Sequence, residues 1–142
     1  VADDTAYVIM RAVQFFLPGE PQIYYVGLFN GMDDVELFNK TGQGRDVNRH
    51  HYTPEEIEVA LQQPVTQAIL GLARLRKLPV FDGDYTWSVT GGDSLRIQWV
   101  NGSDSLSLDF STKVGAPSFN ISVTDAAGSR SYNSVEELGA AR

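Results

Sequence analysis

The stretch Pro18-Gly19-Glu20-Pro21-Gln22-Ile23-Tyr24-Tyr25-Val26 decides the predicted fold of the first half of the chain. Pro18 and Gly19 end the helical pattern that precedes them. The run from Gln22 to Val26 is β-branched and aromatic, and it is apolar on both faces, which is typical of a strand that is covered on two sides. A helix followed by such a strand indicates the α/β class, with parallel neighbours for the strand.

A helix is predicted immediately before this stretch. Asp3 or Asp4 can cap it, and its apolar residues recur at three- and four-residue spacing. The positions expected to face a core are Ala6, Ile9, Met10, Val13, Phe16 and Leu17. The chain opens with Val1 rather than Met, directly before this helix, so we expect it to be a segment of a longer protein.

A segment of roughly two dozen residues, Gly27 to Tyr52, is predicted to be a loop, and loops of that length are usually functional or mobile. The helix after it has a clear start, because Thr53 can cap it, Pro54 suits its first position and Glu56 completes a capping box. Pro64 then interrupts the pattern. We therefore predict a short helix to about Gln62 and a longer one from Pro64 to Lys77. The residues of the longer helix that are expected to face a core are Val65, Ala68, Ile69, Leu72 and Leu75.

After Pro79 the hydrophobic period falls from near four to two, and Ser, Thr, Gly and Asp become frequent. A domain boundary is therefore placed near residues 78–83, between units 1–79 and 80–142. Four runs of alternating apolar residues predict an antiparallel sheet with one apolar face. These runs are Tyr85/Trp87/Val89, Leu95/Ile97/Trp99, Leu106/Leu108/Phe110 and Phe119/Ile121/Val123. Residues 133–140 fit a short helix or a strand.

Composition excludes several classes of function. The chain has 142 residues, of which 42% are hydrophobic, and this is enough to build a packed core. A net charge of −7 disfavours nucleic acid and anionic membranes as partners. The absence of Cys removes disulfides, thiolate catalysis and zinc–thiolate sites. No apolar run approaches the ~20 residues of a spanning helix, so a soluble, cytoplasmic protein is expected.

Two groups of side chains could bind a metal ion, and neither pattern favours it. The acidic cluster Asp33, Asp34 and Glu36 could supply oxygen ligands to a hard cation or contacts to sugar hydroxyls. It lacks the Asp-rich pattern of a calcium loop, so solvated loop charges are expected instead. His50 and His51 are adjacent and point apart, so one structural His is the better interpretation. We expect no metal and no cofactor.

Two arginines of the same segment, Arg45 and Arg49, are candidates for ligand binding. A planar guanidinium is suited to forked hydrogen bonding of vicinal hydroxyls or of a phosphate. A salt bridge from Arg45 to Asp33, Asp34 or Asp46 is an equal alternative on spacing alone.

The aromatic residues of the predicted sheet could form a second binding surface. Tyr85, Trp87 and Trp99 could stack on a sugar ring. Their period-two placement favours core positions instead, and we predict that they belong to the core.

Two motifs carry a resemblance to a known family. Residues 11–28 read RAVQFFLPGEPQIYYVGL and resemble the last helix and strand of the sucrose phosphorylase barrel. Their Pro-Gly-x-Pro-x-Ile-Tyr-Tyr pattern is similar to the eighth-strand motif of the alpha-amylase superfamily, glycoside hydrolase family 13. The more specific motif is DVEL at 34–37 followed by GRDVNRHHY at 44–52, which resembles the loop after that strand in sucrose phosphorylases. The resemblance is strong over residues 11–76 and weaker after 84, and Glu20 and Gln62-Gln63 depart from it.

The resemblance implies an α/β fold followed by an all-β fold. Residues 1–79 would hold the last helix, strand and helix of a (β/α)8 TIM barrel, and residues 80–142 a C-terminal antiparallel β domain. The implied reaction transfers a glucosyl group from sucrose to phosphate with retention. An Asp attacks the anomeric carbon and a Glu protonates the departing fructose. In the family both carboxylates lie on earlier strands, so no catalytic residue is expected in this segment.

The resemblance also implies site residues and partners. The Arg of the second motif binds hydroxyls of the glucosyl ring in the family, which assigns Arg45 to the donor subsite. Asp33 and Asp34 are weaker candidates near the acceptor. The implied partners are sucrose or a related glucoside, inorganic phosphate and the N-terminal part of the barrel, and a homodimer is left open.

Four other enzymatic activities remain open. Three are phosphorolysis of sucrose 6′-phosphate, glucosylglycerate or glucosylglycerol, and a fourth is sucrose hydrolysis. A noncatalytic carbohydrate-binding module is the alternative from another class.

Overall fold

The computed structural model describes residues 3–141; Val1 and Ala2 of the first predicted unit and Arg142 of the second lie outside it. The helices are α1 (Asp4–Phe16), α2 (Tyr25–Leu28), α3 (Val35–Thr41), α4 (Pro54–Leu61), α5 (Pro64–Leu75) and α6 (Val135–Gly139). Two 3-10 helices lie at Gly44–Asn48 and Pro79–Asp82. The strands are β1 (Asp84–Gly91), β2 (Ser94–Asn101), β3 (Asp104–Ser111), β4 (Ser118–Asp125) and β5 (Gly128–Tyr132).

The predicted starts of three helices are confirmed. Asp3 caps α1, since its carboxylate accepts from the backbone N–H of Thr5 at 2.9 Å. Thr53 and Glu56 form the complete capping box of α4. Helix α5 begins at Pro64 and ends at Leu75, two residues before the predicted end, and its five predicted core residues are all buried.

Helix α1 buries a different stripe from the one predicted. Its buried residues are Val8, Ile9, Ala12, Phe15 and Phe16. Met10 and Leu17, predicted to face the core, are 62% and 43% exposed. The stripe follows the i, i+4, i+7 rule, and its residues belong to the cluster that α1 shares with α5 and the sheet.

The C-terminal half contains an antiparallel sheet whose strands follow chain order, β1-β2-β3-β4-β5. All four predicted runs are strands, and their register aligns one apolar face, with Ile97 opposite Leu108 and Leu108 opposite Ile121. The prediction missed β5, because the sequence Gly128 to Tyr132 has no alternating apolar residues. The segment 133–140, left open between helix and strand, holds α6, which Ser134 caps.

The prediction that Trp87 is a core residue is wrong. Trp87 and Val89 are 63% and 67% exposed, whereas Trp99 is 5% exposed. All three lie on the same face of the sheet, because Trp87 pairs with Ile97 and Tyr85 with Trp99. Helix α1 packs against β2, β3 and β4, so the edge strand β1 extends beyond the helical layer. Periodicity identifies a face but not how far the covering layer extends.

The predicted strand Gln22 to Val26 is also not observed. Residues 20–24 have no regular structure and Tyr25 begins α2, with Tyr24 49% and Tyr25 37% exposed. A parallel strand needs neighbours that pair with its N–H and C=O groups. The five strands within residues 3–141 are all antiparallel and form a separate sheet, so the described part of the chain offers it no partner. The barrel therefore remains a prediction.

The segment from Gly27 to Tyr52 is not the continuous loop that we predicted. It contains α3 and the 3-10 helix Gly44–Asn48. Asp34 caps α3, accepting from the N–H of Leu37 at 2.8 Å, and Gly42 ends it with a left-handed φ of 67°. The apolar pattern could not predict α3, because this helix buries no residue. Its caps at Asp34 and Gly42 define it instead.

One core joins the helical half to the sheet. The buried residues of α1, α5, α6 and strands β2 to β4 form a single cluster. Within it, the indole N–H of Trp99 donates to the carbonyl of Phe16 at 2.7 Å. This bond satisfies a carbonyl at the C-terminal end of α1 that the helix leaves free.

Arg76 makes a second link at the same place. Its guanidinium lies 4.1 Å from the ring centroid of Phe81 and 5.6 Å from that of Trp99, and it donates to the carbonyl of Gly19 at 2.5 Å. Burial lowers the pKa of Arg76. The turn that follows α1 is therefore attached to the sheet side of the molecule.

The last helix is held in a similar way. Arg74 of α5 donates to the carbonyls of Ala141, at 2.6 Å, and Gly139, at 2.8 Å.

None of the helices within residues 3–141 is long and apolar enough to cross a membrane.

Replacing Trp99 with Phe should lower the free energy of unfolding by about 1–3 kcal/mol, because a buried carbonyl loses its only side-chain donor. Urea denaturation followed by circular dichroism measures the change. Trp87→Phe is the matched control, the same substitution one strand away at an exposed position, with an expected change within about 0.5 kcal/mol. Equal effects of the two substitutions would contradict the importance of the Trp99 hydrogen bond.

Candidate functional site

His50 lies between two carboxylates that belong to different helices. Its Nδ1 is 3.0 Å from Oδ2 of Asp34, the residue that caps α3. Its Nε2 is 3.4 Å from Oε2 of Glu56, the residue that closes the capping box of α4. Both carboxylates are also held by their own helices, because Asp34 accepts from the N–H of Leu37 and Glu56 from the N–H of Thr53 at 2.7 Å.

The three charges alter one another. The hydrogen bond with Asp34 raises the pKa of His50, and Glu56 adds to this effect. The N–H of Leu37 and then the bond with His50 lower the pKa of Asp34. The N–H of Thr53 lowers the pKa of Glu56, with a further contribution from His50. An imidazolium can donate from both nitrogens, whereas a neutral imidazole donates from one, so the charged form of His50 fits this site.

Two tyrosine side chains contact His50. The hydroxyl of Tyr25 donates to the carbonyl of His50 at 3.0 Å. The ring of Tyr52 stands edge-on to His50, with centroids 4.6 Å apart, and to Phe29 at 5.1 Å. Burial raises the pKa of Tyr52. These contacts connect His50 to Tyr25 of α2 and to Tyr52, just before α4.

The predicted donor-site residue Arg45 lies on the 3-10 helix Gly44–Asn48, and its side chain is 65% exposed. Its Nε is 4.0 Å from Oδ1 of Asp46, so the salt-bridge alternative is at most a weak contact with that neighbour. Within residues 3–141 no ion pair joins Arg45 to Asp33 or Asp34. The guanidinium is free to contact a ligand.

The predicted acidic residues line an open cleft. It has a volume of about 510 Å³ and is bounded by Met32, Asp33, Asp34, Val35, Glu36, His50 and Tyr52. Asp33 and Glu36 are exposed, whereas Asp34 is used by α3 and His50. In the part of the chain that the structure describes, no group of three His, Asp or Glu side chains could hold a metal ion.

Sequence reasoning identified Arg45 and the acidic cluster but missed the network around His50. Glu56 was recognised only as a capping residue, and Tyr25 only as part of a strand. The spacing of 16 residues between Asp34 and His50 gives no signal, because α3 and a 3-10 helix lie between them. The pairing of a capping Asp with a distant His could only be found in three dimensions.

Comparisons with known proteins place this site in a family context. No family model matches the chain. The chain is 43% identical over 114 residues to sucrose phosphorylase of Bifidobacterium adolescentis, which is 80% of this chain and 23% of that protein. It is 46% identical over 101 residues to glucosylglycerol phosphorylase of Marinobacter adhaerens, 70% of this chain and 21% of that protein.

The same relationship is seen in three dimensions. The crystal structure of sucrose 6F-phosphate phosphorylase from Thermoanaerobacter thermosaccharolyticum superimposes with a TM-score of 0.86 at 37% identity. The match covers 93% of this chain and 27% of that one. The chain matches the C-terminal portion of the sucrose phosphorylase family. It spans about a quarter of the length of these relatives.

The contacts of His50 with Asp34 and Glu56 are called the His50 bridge below. The sign of each pKa shift predicts the pH range over which this bridge stabilises the fold. A raised folded pKa means that the His50 contribution is complete below about pH 6.5 and is lost as pH rises through the folded value. The depressed pKa values of Asp34 and Glu56 mean that their contribution is complete above about pH 4.5 and is lost as pH falls through the folded values. The bridge is therefore complete between these limits.

NMR titration of the His50 ring should give a pKa above the ordinary value of about 6.5, and Asp34→Asn should lower it. A His51→Ala variant assigns the resonances, since the chain has only two His. If Asp34→Asn leaves the His50 titration unchanged, the bond between them is not the cause of the shift.

Proposed function

We propose that the chain is the C-terminal part of a phosphorylase that transfers the glucosyl group of sucrose to inorganic phosphate with retention. The observation that carries the proposal is the 43% identity to sucrose phosphorylase of Bifidobacterium adolescentis over 80% of the chain. A related glucoside phosphorylase is the second candidate, because glucosylglycerol phosphorylase of Marinobacter adhaerens is similar at 46% over 70% of the chain.

In this proposal residues 1–79 belong to a (β/α)8 barrel and residues 80–142 to a C-terminal β domain. Two features of the first unit support it. Tyr24 is extended, with φ −76° and ψ 144°, and residues 20–24 pair with no strand among the described residues. An extended, unpaired and aromatic segment is suited to lie between two parallel strands of a barrel. The segment that carries Arg45 would then follow the C-terminal end of a barrel strand, where such barrels place their sites.

Arg45 is the residue of this chain that we place in the donor subsite. A retaining transfer requires two closely spaced carboxylates, a nucleophile and an acid–base, and the family supplies them from other strands. What this chain can add is a positioning group. The exposed guanidinium of Arg45 can donate a fork of hydrogen bonds to two hydroxyls of a glucosyl ring, which orients the anomeric carbon toward the nucleophile.

Arg45→Ala in the complete enzyme should lower kcat/KM for the glucosyl donor by about 100-fold, the size of a lost charge-assisted bond pair at a reacting substrate. Release of glucose 1-phosphate from sucrose and phosphate measures it. Arg45→Lys should be impaired as well, because an ammonium cannot form the fork. Lys40→Ala, an exposed cation on α3 of the same segment, is the control and should retain activity. Unchanged efficiency of Arg45→Ala would remove Arg45 from the site.

The substrate is tested on the complete enzyme with a panel of donors. Sucrose, sucrose 6′-phosphate, glucosylglycerol and glucosylglycerate are each supplied with inorganic phosphate, and glucose 1-phosphate is quantified. The highest kcat/KM with sucrose is the expected result. A preference for another glucoside would select the second candidate, and glucose release that does not depend on phosphate would identify a hydrolase. The 142-residue chain alone should release no product, because the proposed carboxylates lie elsewhere.

A further inference from the structure

Arg45 has no strong anchor of its own. Its side chain is 65% exposed and approaches Asp46 only at 4.0 Å, and no other side-chain bond holds it within residues 3–141. The backbone of the short 3-10 helix Gly44–Asn48 therefore sets the position from which the side chain extends. Whatever fixes that backbone also limits the region that the guanidinium can reach.

The 3-10 helix is attached to α3 through Asp34. The N–H of Asp34 donates to the carbonyl of Val47 at 2.5 Å, while the carboxylate of Asp34 accepts from the N–H of Leu37 and pairs with His50. The 3-10 helix Gly44–Asn48 is called the Arg45 turn below. Asp34 contacts this turn through its backbone and His50 through its side chain.

His50 is held from three sides. Asp34 and Glu56 face its two ring nitrogens, and Tyr25 donates to its carbonyl. The ring of Tyr52 covers one side without offering a charge. Since Glu56 is fixed on α4 by Thr53, the imidazole joins α4 to α3 across the segment that carries Arg45.

We propose that His50 is a positioning residue for the glucosyl donor subsite: its ring joins the capping carboxylates of α3 and α4 and thereby fixes the turn that presents Arg45. The inference rests on the proposed function of Arg45. It also gives the subsite a pH dependence. His50 can donate to both Asp34 and Glu56 only as the imidazolium, and its raised pKa keeps that form at mildly acidic pH. As pH rises above the His50 pKa, one of the two donated bonds is lost and the turn is held less firmly.

The bridge itself is tested by hydrogen exchange on the complete enzyme at pH 6, which requires no activity. His50→Ala should increase amide exchange in residues 34–49 and leave α5 and strands β2 to β4 unchanged. His51→Ala is the matched control, since His51 is adjacent, exposed and makes no side-chain hydrogen bond within the described residues. Unchanged exchange in residues 34–49 of His50→Ala would overturn the bridge, whatever the enzyme's substrate.

The action through Arg45 is tested by a double-mutant cycle with sucrose and phosphate. His50→Ala should raise KM for the glucosyl donor on the order of tenfold, with a smaller effect on kcat. In the Arg45→Ala background the same change should have almost no further effect, because coupled residues are not additive. The wild-type KM should rise on the alkaline side of the His50 titration and that of His50→Ala should not. His50→Gln, which stays neutral and keeps one donor, should give an intermediate, pH-independent KM.

The possible failures are distinguishable. Equal effects of His50→Ala in both backgrounds would refute positioning through Arg45 and leave Arg45 in the donor subsite. If Arg45→Ala has no effect, the proposed function of Arg45 fails and the positioning proposal fails with it, while the exchange result still decides whether His50 joins the two helices.

Discussion

The hydrogen bond from the indole of Trp99 to the carbonyl of Phe16 is the contact on which the arrangement of the chain depends. Helix α1 ends at Phe16, so the bond fixes the point where the chain leaves the shared core. Arg76 extends the same contact to Gly19 while its guanidinium lies over Phe81 and Trp99. The β-sheet therefore sets the direction in which the segment from residue 20 onward begins, and that segment leads to the Arg45 turn.

An element of the fold could be predicted where its sequence pattern is carried by neighbouring residues. Capping of α4 and alternation in the strands are local, and both predictions are confirmed. The exposure of Trp87 depends on the width of the helical layer, which no residue near it encodes. The strand at Gln22 to Val26 depends on neighbours that the described residues do not provide, because strand pairing is a property of two segments.

The candidate site shows the same division. Arg45 and the acidic cluster could be identified from their spacing and from a family resemblance, since both are carried by residues close together in sequence. The network of Asp34, His50 and Glu56 could not, because its members are separated in sequence and are brought together only by the placement of two capped helices. Each carboxylate reads from the sequence as an ordinary helix cap. Its contact with an imidazole is visible only when both caps are placed in space.

Several large apolar side chains of the helical half are exposed. Met10 of α1 and Leu17, at its C-terminal cap, are exposed, as are Tyr24, at the end of the extended segment, and Tyr25, the first residue of α2. The inner face of the sheet is buried except along the edge strand β1. The exposed apolar side chains of the first unit do not belong to the common core. Covering such surface is favourable by about 25 cal/mol per Å², and parallel strands on both sides of residues 20–24 would bury the exposed side chain of Tyr24 while pairing the backbone of the segment. The same exposure that contradicts an isolated strand therefore supports the proposal that this segment is completed by a barrel.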